Sequence, residues 1–181
     1  MSKLIVIIPV SRPKLLPIIK EWMALQSKVN NLDIFIEHGI GEAPSGANIR
    51  QKYLDKYRGQ DLYIHWLDDD NLISSDVIAS IEYIIKSGQK IAIMFGQIWG
   101  TDGAKRLNAK PENCEPCKCD IAQLFVHASL LDGINWGNRY ENDGDLIKDL
   151  YTKHPNKFRF INYINAYYNA LNPSEENHLI A

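Results

Sequence analysis

Three consecutive carboxylates, Asp68, Asp69 and Asp70, follow the apolar stretch that ends at Leu67 and precede Asn71. Neighbouring like charges repel and raise one another's pKa, so such a cluster calls for compensation. A divalent cation compensates it well, because Mg²⁺ and Mn²⁺ prefer hard oxygen ligands and commonly share one or two carboxylates with substrate phosphates. The plainer reading is a solvated turn in which one of these side chains helps to start the next helix. An EF-hand is excluded: alternating acidic positions, a central glycine and a closing glutamate are missing. A second acidic group, Glu141-Asn142-Asp143-Gly144-Asp145, stands just before a helical pattern, where Asn142 or Asp143 could equally cap the helix.

The surrounding pattern says what positions these groups. Leu4 to Val10 is a continuous apolar, β-branched run that suits a strand covered on both faces, and Ser11-Arg12-Pro13 breaks it. Helical spacing follows over Lys14 to Leu25, then a strand over Leu32 to Ile36 ending at Glu37-His38-Gly39, a glycine-rich loop, and a helix over Ala47 to Tyr57. Asp61 to Leu67 reads as the strand that delivers the acidic triplet. Ser74 or Ser75 caps a helix whose stripe is Val77, Ile78, Ile81, Ile84 and Ile85, with Gly88 at its end. Ile91 to Phe95 and Ile121 to Val126 read as strands, separated by the aperiodic Gly96 to Pro116, which reads as a long functional loop. A short helix around Leu146 to Tyr151 and a strand over Phe158 to Ile161 complete the series, and Tyr163 to Ala181 shows no period. Alternating strands and helices predict an α/β sandwich with a mostly parallel sheet, in which ligands bind beyond the carboxyl ends of the strands.

Length and composition set outer bounds. The 181 residues fit one domain spanning 1–181, and 45% apolar with 23% charged residues is ordinary for a packed globular chain. The 20 Lys and Arg residues form no basic block and the net charge is −2, which gives no case for nucleic acid. The apolar N-terminal run is too short to span a bilayer, so a soluble, cytoplasmic protein without a membrane span is expected. Cys114, Cys117 and Cys119 are one ligand short of a structural zinc site, with His127 the nearest fourth candidate; unligated thiols or a local disulfide are favoured over a metal there.

The segments LIVIIPVSRP, IFIEHG and YIHWLDDDN together resemble the first, second and D-x-D-bearing strands of the GT-A glycosyltransferases, the class that includes family 2 enzymes and the animal glucuronyltransferases. The DDDN form is most like the glucuronyltransferases, and ENDGDLIKDL is more like the family 2 segment that holds the catalytic acid. The resemblance implies a GT-A (Rossmann-like) three-layer sandwich and a metal-dependent, inverting transfer of a sugar from a nucleoside diphosphate sugar, UDP-linked, to a hydroxyl of a glycan or other acceptor. Asp70 would be the main metal ligand for Mn²⁺ or Mg²⁺, assisted by Asp68, while Asp68 and Asp69 would also hold the ribose. Pro9, Val10 and Arg12 would line the donor pocket, Glu37 or His38 would lie near the base, and Arg50 would face the diphosphate. His38 replaces a carboxylate common at that point in the class, which leaves the base open.

Glycosyl transfer needs an acceptor hydroxyl to lose its proton as the nucleotide leaves. By the same resemblance Asp143 takes the place of the base, with Glu141 as its substitute. Trp99 and Trp136 are candidates for stacking on a sugar, although packing is expected for at least one of them. Asp120 and His127 could contact the donor sugar, and His154 and His178 could close over the diphosphate; none of the four has a decisive spacing. The short acceptor segment predicts a pocket that a partner domain or subunit would complete. Two alternatives remain: a non-catalytic nucleotide-sugar-binding module, and a sugar nucleotidyltransferase, which is disfavoured because Ser11-Arg12-Pro13-Lys14 has no glycine.

Overall fold

A computed structural model describes residues 3–40, 46–137 and 142–171. Glu141 and His178 lie outside the described residues.

The first strand, β1 (Leu4–Val10), is buried at every position, and its side chains alternate between two cores. Ile5 and Ile7 face one; Leu4, Val6, Ile8 and Val10 face the other. Full burial of each such aliphatic side chain contributes about 1.5–3 kcal/mol, which explains why a run without polar alternation is stable only at the centre of a sandwich. Helix α1 (Leu16–Asn30) carries Pro17 in its first turn and ends where Asn31 adopts a left-handed conformation, φ 49°. Strand β2 (Ile34–Ile40) follows, and α2 (Ala47–Tyr57) starts from Gly46 at φ 66°, a backbone state that favours glycine. Strand β3 (Tyr63–Trp66) leads into the acidic triplet. Helix α3 (Ser75–Lys86) is capped by Ser74, whose hydroxyl accepts the Val77 N–H at 3.3 Å.

The second half consists of β4 (Ala92–Trp99), β5 (Lys105–Leu107), β6 (Leu124–His127), α4 (Asn142–Lys153) and β7 (Phe158–Tyr168). The sheet order is β2-β1-β3-β6-β4-β5, with β7 also pairing β4. Helices α2 and α4 cover one face, and α1 and α3 the other, giving three layers.

The sheet is mixed rather than mostly parallel. β1 runs parallel to β2 and β3, and β4 to β7, but β6 is antiparallel to both β3 and β4, and β5 is antiparallel to β4. The segment expected as one long loop, Gly96 to Pro116, instead holds the end of β4 and a return strand joined by a tight turn, in which Gly103 has φ 72° and Asp102 accepts the Ala104 N–H at 2.7 Å. Strand β7 runs seven residues past the expected Ile161, because a bulge lets its register jump from Phe95↔Ile161 to Gly96↔Asn165. That extension matters for the site: it carries the chain back over the acidic triplet.

Candidate active site

The carboxyl ends of β1 and β3 are fastened to each other by Asp69. This residue is 1% exposed, and its Oδ2 accepts the backbone N–H of Ser11 at 2.6 Å and that of Arg12. Its Oδ1 accepts the Ser11 hydroxyl at 3.1 Å and Arg12 Nη1 at 2.9 Å. Two backbone amides, a hydroxyl and a guanidinium thus occupy both oxygens, so Asp69 builds the turn. Asp70 is also buried, with Oδ2 3.2 Å from Arg12 Nη1. Burial pushes its pKa up to about 6, with Arg12 opposing and Asp68 and Asp69 adding to the rise. Asp68 is the most open of the three, about a third exposed, and Arg50 Nη2 donates to its Oδ1. Burial by surrounding atoms raises its pKa, Arg50 opposes, and Asp120 and Asp69 add.

The segment from Tyr167 to Leu171 straps this triplet in place. Leu72 and Tyr167 exchange backbone hydrogen bonds, Asn169 N–H donates to Asn71 Oδ1 at 2.8 Å, and Leu171 N–H donates to the Asp70 carbonyl at 3.0 Å. The plain alternative of a solvated turn is therefore half right. Asn71 N–H does donate to the Asp68 carbonyl in a turn, but Asp69, Asp70 and Asn71 are buried.

Across Arg50 from the triplet, Asp143 lies in the first turn of α4. Its Oδ2 accepts the Ile121 N–H at 3.4 Å and its Oδ1 is 3.6 Å from Arg50 Nη1. Burial raises its pKa to about 7; Arg50 works against the rise, while Asp120 and Asp68 reinforce it. A carboxylate held there is in range for proton transfer near neutrality. The position is set by close packing, since a Cβ on Gly144 would stand 2.4 Å from Pro116 Cα. Asn142 anchors the approach by donating to the Gly137 carbonyl at 3.1 Å.

Arg50 spans the two sides. It is 2% exposed, with its guanidinium carbon 4.8 Å from the Trp136 ring centre, and it reaches Asp68 with one nitrogen and faces Asp143 with the other. Its guanidinium is buried between these two carboxylates rather than exposed at the helix surface. Farther along, Arg106 lies over the Tyr168 ring at 3.7 Å and pairs with Gln97 and, at 3.1 Å, with Asp120. Among the described residues three guanidiniums face five carboxylates here, an excess of two negative charges when every group is ionised.

The structure thus brings together Arg12, Arg50, Asp68, Asp69, Asp70, Asp120 and Asp143, with Pro9 and Val10 buried at the end of β1. It does not bring Glu37 and His38 to the strand end. β2 continues to Ile40, so these two pair with Ile7 and Ile8, inside the sheet. Glu37 is held by Lys56 at 2.5 Å and by the Tyr57 hydroxyl; burial, which raises its pKa, is outweighed by these hydrogen bonds, leaving it low. His38 Nε2 is 2.9 Å from Lys20 Nζ.

His127 sits at the other end of the sheet, opposite Tyr63 and 3.2 Å from Asp61. His154 follows the last turn of α4, roughly 16 Å from Asp143 at 1.5 Å per helical residue. The three thiols are free, without a disulfide, and among the described residues no three His, Cys, Asp or Glu side chains form a ready cage for a metal. Cys114 packs on Met94 and Cys119 donates to the Glu115 carbonyl; burial pushes both thiols up to about 12. Trp136 is packing, against Trp66 at 5.7 Å, and Trp99 stands half-buried against Tyr168.

Several contributors carry no signal in the sequence. Arg106, Gln97 and Tyr168 come from the aperiodic segments, and Ser11 acts largely through its backbone N–H. The spacing of Asp120 and Gln123 could have shown the capping box they form.

No family model matches the sequence, and neither does any curated protein. Solved structures do match in fold. S. aureus TarS 1-349 superposes with a TM-score of 0.53 at 12% identity, covering 84% of this chain and 56% of that one. A second TarS structure gives 0.54 at 11% identity, covering 84% and 34%. TarS 1-349 in complex with UDP gives 0.51 at 11% identity, covering 84% and 56%. The chain therefore spans about half of the first of these structures and about a third of the second. The likeness is one of fold, and the fold is the α/β sandwich of the GT-A glycosyltransferases. Among the described residues no helix is long and apolar enough to cross a membrane.

Proposed function

We propose that the chain is a metal-dependent glycosyltransferase domain that takes a nucleoside diphosphate sugar, UDP-linked, as donor and a hydroxyl of a glycan or other molecule as acceptor. One observation carries the reading: two acidic arms, Asp68–Asp70 beyond the carboxyl end of β3 and Asp143 at the start of α4, meet at a single buried arginine. That is where an open α/β sheet binds ligands, and a neighbour of the same fold has been solved with UDP.

The residues present fit a divalent cation. The excess of two negative charges and the raised pKa of Asp70 mark a site that a cation would relieve. Asp70, with Asp68, would hold Mn²⁺ or Mg²⁺, the remaining ligands being phosphate oxygens and water, since few protein carboxylates are needed. When bound, the cation neutralises charge that develops on the departing diphosphate. Arg12 orients Asp70, and Asp69 keeps the β1 exit closed against the triplet. Asp143 accepts the proton of the acceptor hydroxyl as its oxygen bonds to the anomeric carbon; the bond from that carbon to the phosphate oxygen breaks, and the electron pair leaves with the nucleotide. A single displacement of this kind inverts the anomeric configuration. A partner domain or subunit would complete the acceptor side.

A panel of nucleotide sugars tested for binding and slow hydrolysis, with and without Mn²⁺, checks this. Metal-dependent binding and turnover, with binding weakened at least tenfold in Asp70→Ala, is the expected result. Binding without turnover for every donor and acceptor would favour a non-catalytic module, and unchanged binding in Asp70→Ala would remove the metal role.

A further inference from the structure

Arg50 is buried to 2% exposure at a depth where an aliphatic side chain would pack without electrostatic cost. Its Nη2 holds Asp68, but Nε and Nη1 have no hydrogen-bond partner among the described residues. Nη1 stops 3.6 Å from Asp143 Oδ1, just outside hydrogen-bond reach. The Trp136 face beneath the guanidinium fixes the plane in which it can move. A buried, charged donor left unspent is a cost to the resting fold, and the group it is aimed at is the carboxylate of the other arm.

We infer that Arg50 is a positioning residue that couples the two arms: occupation of Asp68 by the donor loosens the hold of Nη2 and lets the fork close on Asp143. This inference rests on the function proposed above and deepens it. The guanidinium suits the task because its two terminal nitrogens are rigidly spaced and can contact two carboxylates at once, whereas an ammonium acts as one point. Lysine at this position keeps the positive charge and can pair with Asp68, but cannot hold both arms.

The test compares wild type, Arg50→Lys, Asp143→Asn and the double variant. Titration with UDP and Mn²⁺ reads binding, and turnover is read on the donor that wild type hydrolyses fastest. The coupling predicts UDP affinity and KM within about fivefold of wild type for Arg50→Lys, a fall in kcat of about 100-fold, and no further fall in the double variant beyond about threefold, because the two residues act through each other. Full turnover in Arg50→Lys, or losses that multiply in the double variant, would overturn it. A second arm does not depend on activity: urea unfolding of the same four proteins. With UDP and Mn²⁺ present, the link predicts unfolding constants that depart from multiplicativity by at least about fivefold, and multiplicative constants would overturn it. A wild type that binds no UDP would contradict the proposed function, whereas UDP binding with multiplicative unfolding constants would contradict the link alone.

Discussion

The two arms of the site are held by different means. On the β1–β3 side Asp69 is bonded to two backbone amides, and Asp70, Asn71 and Leu72 are tied down by the backbone of the Tyr167–Leu171 strap. On the α4 side Asp143 is held by one long amide contact, an arginine just beyond hydrogen-bond distance, and the packing of Gly144 on Pro116. Within the first arm Asp69 is therefore part of the fold, and its substitution should register as lost stability. The second is loosely satisfied, with a pKa near neutrality, and under the proposed function substitutions there should register as lost turnover. A group that must gain and lose a proton cannot be saturated with donors, because hydrogen bonds to the charged form lower its pKa.

The sharpest way to break this contrast is Asp143→Asn, expected to lower turnover by about 10²- to 10⁴-fold while UDP binding and the folded state persist, measured by steady-state nucleotide release and circular dichroism. Full activity would make Asp143 a structural residue and erase the distinction. Next in size, Asp69→Ala leaves the Ser11 and Arg12 amides without this acceptor and takes one of two carboxylates from the half-buried Arg12 guanidinium, and should cost about 2–3 kcal/mol in urea unfolding. A loss below about 1 kcal/mol would mean that the first arm is not the fastening it is taken to be.

A third prediction concerns pH. The carboxyls of Asp70 and Asp143 have folded pKa values of about 6 and about 7 against 3.8 unfolded, so the native state binds more protons between those values. Their contribution to stability is then greatest in acid and falls as pH rises from about 4 to about 7 without divalent cation, while His65, whose pKa burial lowers to about 4, and His127, also lowered by burial, oppose it by destabilising the fold in acid. Asp143→Asn should flatten the upper part of that slope. Activity should move the other way, rising through about pH 7 as the base ionises. A stability difference between wild type and Asp143→Asn that stays constant as pH rises across the same window would contradict the raised value of Asp143. The smallest expected effect is Gly144→Ala, whose Cβ meets Pro116 and should cost about 1–3 kcal/mol while displacing Asp143, seen as a lowered melting temperature with reduced kcat.

The same contrast governs what the sequence discloses. The parallel half is written locally: the unbroken apolar run Leu4–Val10, the Ser74 cap and the α3 stripe each specify an element, and the acidic triplet falls at a strand end as expected. Where β2 stops is not written locally, because Glu37 and His38 pair against Ile7 and Ile8 of β1 across the sheet; a polar pair at an edge strand reads as its end. The antiparallel half depends on long-range pairing. Lys105–Leu107 becomes a strand only because β4 lies beside it, and the later part of β7 because a bulge restores its register. Of the site, the acids are legible by type and spacing. Arg50 is visible as a cation but not as a bridge, since its burial follows from Trp136 closing over it from a loop 86 residues on.

The most direct measurement is a crystal of the protein soaked with UDP and Mn²⁺, with anomalous scattering used to place the metal. The account predicts a manganese peak within about 2.5 Å of an Asp70 carboxylate oxygen, bridged to the UDP phosphates beyond the ends of β1 and β3. UDP bound on another face, or bound there with the manganese absent from the acidic triplet, would contradict it.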